Sequence, residues 1–190
     1  MTTLVEKALA LEQALDDTRT PHAFGGALAL AFHIAEPRGT RDIDLNVFLP
    51  TDDARSVLAS LPHEVAWSDH DVEEIERSGQ VRVFWDDTPV DLFFVTHPFH
   101  TNASTHTELV PFAGREIPIL AADDLAVLKA FFDRTKDWAD IEAMIDVGSL
   151  DVHVVLGWLV DLLGGDDHRV ARLRGLVGPR PESREPRFAP

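Results

Sequence analysis

Two aspartates, Asp42 and Asp44, lie within a run of apolar and β-branched residues. Alternate side chains of a β-strand share a face, so both carboxylates would point the same way. The residues at the alternate positions, Ile43, Leu45 and Val47, would then point to the other face, into a core. Neighbouring like charges repel, and a divalent cation with oxygen ligands is a usual means of neutralising them. The stretch predicts a cation site on a strand. The alternative is a surface strand on which Arg38 or Arg41 pairs with the acids.

The composition of the chain excludes several classes of protein. Its 190 residues are 45% hydrophobic, which is enough for the buried core of one domain with a small helical annex. The absence of Cys excludes disulfides, thiolate zinc sites and thiol nucleophiles. We find neither a signal-peptide pattern nor an apolar run near the roughly 20 residues of a membrane span. We therefore expect a cytoplasmic protein without a membrane partner.

The net charge of −16 bears on the partner. Nucleic-acid-binding proteins normally carry a basic surface, whereas this chain is acidic as a whole. Six of its 17 Lys and Arg residues lie in residues 169–190. The natural partner is therefore either not a polyanion or meets a local basic patch.

The spacing of apolar residues predicts an α+β fold, with a small mixed β-sheet flanked by helices and a helical C-terminal part. Strands are predicted at residues 41–49, 80–85, 90–95 and at a segment ending at 120. Residues 98–120 otherwise look like a loop or a short helix. We divide the chain into a core of residues 1–120, a helical part of residues 121–177 and a mobile tail of residues 178–190.

Paired glycines and a further acid extend the candidate site. Gly25 and Gly26 open a predicted helix, whose free N–H groups could bind phosphate. Asp91 stands between bulky apolar residues on a predicted strand, where burying an unpaired carboxylate is expensive. If its strand joins that of Asp42 and Asp44, three carboxylates converge into a two-metal site. Alternatively, Asp91 is an edge-strand acid that faces solvent.

A lysine within an apolar helix is the last candidate. Lys129 is either a phosphate ligand or a surface residue whose charged end reaches water. Arg134, Lys136 and Asp137 follow at the predicted break between two helices, where they could simply cap the helix ends.

The order of these motifs resembles the DNA polymerase beta-like nucleotidyltransferase superfamily, and more closely the AbiEii/MenT group of nucleotidyltransferase toxins. The residues that carry the likeness are 24–29, 38–45, 90–93, 124–129 and 136–140. The likeness spans roughly residues 20 to 147. The more usual superfamily pattern has Ser after the first glycine, whereas Gly26 stands there in this chain, as in the AbiEii-like branch.

The resemblance implies nucleotidyl transfer from a nucleoside triphosphate, with magnesium as cofactor. The implied metal ligands are Asp42, Asp44 and Asp91, of which Asp91 would be either a ligand or a base. The implied triphosphate-binding residues are Gly25, Gly26, Thr40 and Lys129. Asp137 would orient the lysine or the acceptor.

The same resemblance implies a transfer RNA acceptor and a role as the toxin of a toxin–antitoxin system, with an antitoxin as partner. A second reading keeps the chemistry and changes the acceptor to a small hydroxylated molecule, such as an aminoglycoside or lincosamide antibiotic. The net acidity favours such a cationic acceptor. A third reading is a non-catalytic partner module with the same fold, against which the intact set of three carboxylates argues.

Overall fold

In the computed structural model, residues 2–36 and 39–177 are described. Within them, the expected α+β fold is confirmed: seven strands form one mixed sheet in the order β3-β4-β5-β2-β1-β7-β6. The strands are β1 (His22–Phe24), β2 (Ile43–Pro50), β3 (Val65–Ala66), β4 (Gln80–Trp85), β5 (Thr88–Val95), β6 (Glu108–Phe112) and β7 (Arg115–Ile119). Strand β2 runs parallel to β5, and β1 runs parallel to β7; the other neighbouring pairs are antiparallel.

Helices fill most of the remaining described chain. They are α1 (Leu4–Asp17), α2 (Gly26–His33), α3 (Ala54–Ser60), α4 (Asp69–Ser78), α5 (Pro98–Ala103), α6 (Ala122–Phe132), α7 (Thr135–Val147), α8 (Val152–Leu163) and α9 (His168–Val177). Among the residues described, no helix has the length and apolar character needed to cross a membrane.

Strand β2 forms where its alternating pattern predicts a strand. The apolar residues of the pattern are almost fully buried, with exposed fractions of 1% at Ile43, 0% at Leu45 and 1% at Val47. The strand begins at Ile43 and not at residue 41, so Asp42 immediately precedes it and Asp44 is its second residue. The alternation therefore places one row of side chains in the core and leaves the other for the site.

Two hairpins extend the sheet on either side of its centre. Strands β4 and β5 form the hairpin that the sequence predicts, with Trp85 opposite Thr88. Strands β6 and β7 form a second hairpin that the sequence analysis did not predict, because residues 98–120 were expected to hold one strand only. Its two-residue turn, Ala113 and Gly114, has positive φ at both positions, which matches the twist of the flanking strands.

The chain divides into two compact units, Met1–Leu125 and Ala126–Pro190. The first unit contains the whole described sheet. The second has its own apolar centre, in which Trp138, Met144 and Leu159 are at most 1% exposed. The division predicted between residues 120 and 121 stays a prediction, and the expected tail of residues 178–190 lies outside the described residues.

Candidate active site

The sheet brings two of the predicted acids side by side. Asp44 on β2 lies directly opposite Asp91 on the parallel strand β5, so both side chains occupy equivalent register positions. On the other side of β2, the backbone N–H of Gly25 donates to the carbonyl oxygen of Asp44 at 2.9 Å. Strand pairing therefore places Asp44 beside Asp91 on one side and beside Gly25 on the other.

Asp42 sits at the entry to β2 and is held by Thr40. The hydroxyl of Thr40 donates to the Oδ1 atom of Asp42, and the backbone N–H of Asp42 donates to the same hydroxyl at 3.4 Å. Both residues are half-buried. The expected role of Thr40 in triphosphate binding stays a prediction. In this structure its hydroxyl orients a carboxylate of the site.

The paired glycines allow the start of α2 to approach Asp44 closely. Gly26 has a φ of 54°, and a Cβ atom placed on it would lie 1.7 Å from Oδ2 of Asp44. A Cβ atom on Gly25 would lie 2.7 Å from Nδ2 of Asn46. Any side chain at position 26 would therefore collide with the carboxylate and require an unfavourable backbone conformation. The start of helix α2 therefore packs directly against the carboxylate of Asp44.

An arginine that the sequence analysis did not identify completes the row across the sheet. Arg82 on β4 lies opposite Asp91, and its Nε and Nη2 atoms donate to Oδ1 and Oδ2 of Asp91, each at 2.7 Å. The side chain of Arg82 is 53% exposed and that of Asp91 is 15% exposed. The hydrogen bonds and charge of Asp91, with smaller contributions from Asp42 and Asp44, raise the pKa of Arg82. The guanidinium therefore interacts electrostatically with all three carboxylates.

The donors fit part of the magnesium site that the sequence predicts. Carboxylate oxygens are suitable ligands for Mg²⁺, and Asp42 and Asp44 supply them. The carboxylate of Asp44 lies against the backbone of Gly26. Both oxygens of Asp91, however, accept from Arg82. Within residues 2–36 and 39–177, no group of three or more His, Asp or Glu side chains is arranged to hold a metal ion. The role of Asp91 as a ligand stays a prediction.

The predicted lysine lies in the second unit, in a buried network of charges. Lys129 is 5% exposed; its Nζ atom lies 2.6 Å from Oδ2 of Asp140 and 3.9 Å from Oδ1 of Asp137. Asp137 also accepts from Nε of Arg134 at 2.6 Å. Lys129 and Asp137 therefore form an ion pair, while the expected role of Asp137 in orienting the lysine or the acceptor stays a prediction. Asp140, to which no role was given, is the closer partner of the lysine.

Asp124, the first residue of the motif of residues 124–129, has an unusual environment within the first unit. It is 3% exposed, and its Oδ2 atom has no hydrogen-bond partner within the described part of the chain. Nδ1 of His106 lies 3.7 Å from this atom. Burial raises the pKa of Asp124 to about 6, and the charge of His106 offsets only part of that effect.

The predicted site residues thus fall into two groups. The first unit holds Gly25, Gly26, Thr40, Asp42, Asp44 and Asp91. The second unit holds Lys129 and Asp137. A hairpin register would have identified Arg82, because counting outward from the turn at Asp86 places it opposite Asp91.

Comparison with known proteins identifies the fold. No protein-family profile and no curated protein sequence matches the chain. Among solved structures, the chain is similar to ANT(2")-Ia in complex with adenylyl-2"-tobramycin, with a TM-score of 0.59 and 16% identity over 92% of this chain and 98% of that one. It is also similar to the lincomycin-bound lincosamide antibiotic adenylyltransferase LnuA, with a TM-score of 0.54 and 11% identity over 76% and 98% of the two chains.

A third similar structure is an antigenic nucleotidyltransferase-like protein from Paracoccidioides brasiliensis, with a TM-score of 0.50 and 16% identity over 87% of this chain and 91% of that one. The chain therefore has the fold of nucleotidyltransferases. Its resemblance to the AbiEii/MenT toxin group stays a prediction.

Proposed function

We propose that the protein is a magnesium-dependent nucleotidyltransferase. The observation that carries the proposal is the close approach of the Gly26 backbone to the Asp44 carboxylate, beside Asp91 on the next strand. A phosphate-binding helix start and a cation-binding acid would then share one place in the fold. In the net reaction, an acceptor hydroxyl oxygen bonds to the α-phosphorus of a nucleoside triphosphate. The bond to the leaving pyrophosphate breaks, and the hydroxyl proton is released.

The chain's own residues would act mainly by positioning. Gly26 would present its backbone N–H group to the triphosphate, and Gly25, whose own N–H donates to Asp44, would hold the start of the helix beside β2. Thr40 would keep Asp42 oriented through its hydrogen bond. Asp42 and Asp44 would hold the cation, which when bound neutralises phosphate charge as the leaving group departs. Little covalent chemistry is asked of the protein in phosphoryl-type transfers, so such positioning supplies most of the catalysis.

We propose a small, cationic, hydroxylated molecule as the acceptor, of the aminoglycoside or lincosamide type. The net charge of −16 supports this choice, because an acidic protein attracts cations and repels polyanions. Two of the similar folds belong to proteins whose names include an adenylylated tobramycin and a bound lincomycin. The acceptor and the charge of the chain are then complementary.

Transfer RNA is the second candidate acceptor, with the protein as the toxin of a toxin–antitoxin pair. The observation that favours it is the requirement for glycine at position 26, the position at which the AbiEii-like motif departs from the more usual serine. This function would need a basic surface to meet the RNA backbone.

The experiment is a pyrophosphate-release assay with each of the four nucleoside triphosphates and magnesium. One series contains a panel of aminoglycosides and lincosamides, and a parallel series contains a transfer RNA pool. We expect release with a member of the drug panel and its loss in Asp44→Asn. The matched control is Asp87→Asn, which removes the same charge from an exposed turn and should retain activity.

The two acceptor arms give different conclusions. Transfer to RNA alone would replace the small-molecule acceptor with the toxin function and leave nucleotidyl transfer intact. Failure of the purified protein to bind any triphosphate at millimolar concentration with magnesium would contradict nucleotidyl transfer itself.

A further inference from the structure

Arg82 and Asp91 form a two-point pair across the β4–β5 hairpin. Two N–H groups of one guanidinium meet the two oxygens of one carboxylate, both at 2.7 Å. The planar fork of Arg matches a carboxylate in this way, and such pairs fix orientation as well as charge. Because the strands place the two residues directly opposite each other, the pair is built into the sheet register.

This pair occupies the oxygens that a second cation would need. Two-metal catalysis requires carboxylates able to reach both ions. Asp91 would have to exchange two charge-assisted hydrogen bonds for a metal bond. Asp91 has the largest effect on the pKa of Arg82, and the charges of Asp42 and Asp44 have smaller effects on it.

The guanidinium also supplies the positive charge that a second ion would bring. Arg82 belongs to the same row across the sheet as Asp44 and Asp91, and like charges at those two acids would otherwise repel. An arginine stays charged at every pH at which proteins are folded. The sheet therefore carries a permanent cation at one end of its row of acids.

We propose that Arg82 is a positioning residue that reserves Asp91, so that the site binds one divalent cation, through Asp42 and Asp44, and not two. The inference rests on the proposed function and deepens it, since the three aspartates on one sheet predict a two-metal site. Asp91 then keeps a fixed orientation through its two hydrogen bonds to Arg82.

The test counts bound manganese(II), which substitutes for magnesium and is detected by electron paramagnetic resonance. The protein is titrated alone and with a non-hydrolysable triphosphate. We expect one manganese ion per chain for the wild type and for Asp91→Asn. We expect two for Arg82→Gln and one again for the double variant Arg82→Gln/Asp91→Asn, because the second ion needs the released Asp91 carboxylate.

Two controls separate these effects from misfolding or general charge. Arg55→Gln removes an exposed arginine that also pairs with an acid, Asp69 at 2.8 Å, and should bind one ion. Arg82→Lys keeps the charge and loses the fork. If the positive charge alone excludes the second ion, this variant should bind one ion. If the two-point pairing with Asp91 excludes it, the variant should bind two. Either result supports a role of residue 82 in excluding the second ion.

Other outcomes overturn the inference or its premise. Two ions on the wild type, the same count in Arg82→Gln as in the wild type, or loss of the wild-type ion in Asp91→Asn would overturn the role of Arg82 while leaving nucleotidyl transfer standing. Absence of bound manganese from the wild type and every variant, with and without triphosphate, would contradict the proposed function itself.

Discussion

Glycine at position 26 is required for two separate reasons. Its φ of 54° lies in the left-handed region, and a Cβ atom there would lie 1.7 Å from Oδ2 of Asp44. We expect Gly26→Ala to lower the free energy of unfolding by about 1–3 kcal/mol, as strained backbone and displaced side chains do. The displaced carboxylate should also weaken binding of triphosphate. Chemical denaturation and nucleotide titration measure the two effects.

Gly157 in α8 provides the matched control for this substitution. Apart from its chain neighbours and the nearby backbone of its own helix, no atom of the described residues lies within 4 Å of a Cβ placed on it, and its φ is ordinary. Alanine is a better helix former than glycine, so Gly157→Ala should stabilise the protein by roughly 0.5–1 kcal/mol. Equal effects of the two substitutions would show that Gly26 is not constrained by Asp44.

Asp124 should make stability depend on pH in the direction opposite to most acids. Burial raises its pKa to about 6, so the folded protein binds this proton more tightly than the unfolded chain does. Stability from this group is therefore fully present below about pH 4 and is lost as the pH rises to about 6, by on the order of 3 kcal/mol. Asp124→Asn removes the ionisation and should stabilise the protein at pH 7.

Urea denaturation of Asp124→Asn and the wild type between pH 4 and pH 7 checks this prediction. The difference in unfolding free energy should grow in favour of the variant as the pH rises. Asp87→Asn, at an exposed position, should show no such trend. A constant difference across the range would contradict a raised pKa of Asp124 in the folded protein.

The site residues differ in how far the sequence alone could identify them. Asp42, Asp44 and the two glycines can be identified from the local sequence pattern, because that pattern predicts the strand or the helix start to which each belongs. Arg82 gives no local signal, since an arginine on the exposed face of a strand is ordinary. Its meaning comes from the opposite strand, and only the hairpin register pairs it with Asp91.

At the scale of elements, a buried lysine joins α1 to the β4–β5 hairpin. Lys7 is 3% exposed, and its Nζ atom donates to the carbonyl oxygen of Trp85 at 2.8 Å and to Oγ1 of Thr88 at 2.9 Å. A third contact reaches Asp86 at 3.4 Å. The ammonium group therefore holds the hairpin turn against the helix.

Replacing this lysine with an apolar residue of similar length should loosen the joint. Lys7→Met leaves buried acceptors without a donor, and each unsatisfied buried group costs about 1–3 kcal/mol. Thermal and chemical unfolding should show a loss of this size. The matched control is Lys136→Met at an exposed position, which should change stability by less than about 0.5 kcal/mol. A similar small effect at Lys7 would contradict the bridging role.

The sheet also shows where element prediction from sequence fails. Strand β4 alternates between buried and exposed residues and β5 between buried and half-buried ones, while β2 buries its alternate apolar residues Ile43, Leu45 and Val47. These patterns can be recognised in the sequence. In β6 every residue is at least partly exposed, because the strand lies at the edge of the sheet, and no alternation marks it. Strand β1 has only three residues, all of them buried, and such a segment cannot be distinguished from a loop entering a helix.

At the scale of the whole molecule, charge is the dominant feature. Thirty-three acidic residues face 17 basic ones, which leaves a net charge of −16 at pH 7. The close pairs found in the structure neutralise individual acids, yet the excess remains and repels itself. The composition alone predicts this acidic excess. It does not predict that a cationic residue, Arg82, lies among the acids of the site.

Self-repulsion predicts that added salt stabilises the protein at neutral pH. The screening length falls from about 30 Å at 0.01 M to about 3 Å at 1 M salt, so repulsion between distant surface acids should nearly vanish. A gain of about 1–2 kcal/mol would raise the melting temperature by roughly 2–8 °C for a chain of this size. Calorimetry in sodium chloride at pH 7 measures the rise. The control is the same series near the sequence pI of about 4.8, where the net charge is close to zero. A rise of equal size at both pH values would attribute the effect to something other than the acidic excess.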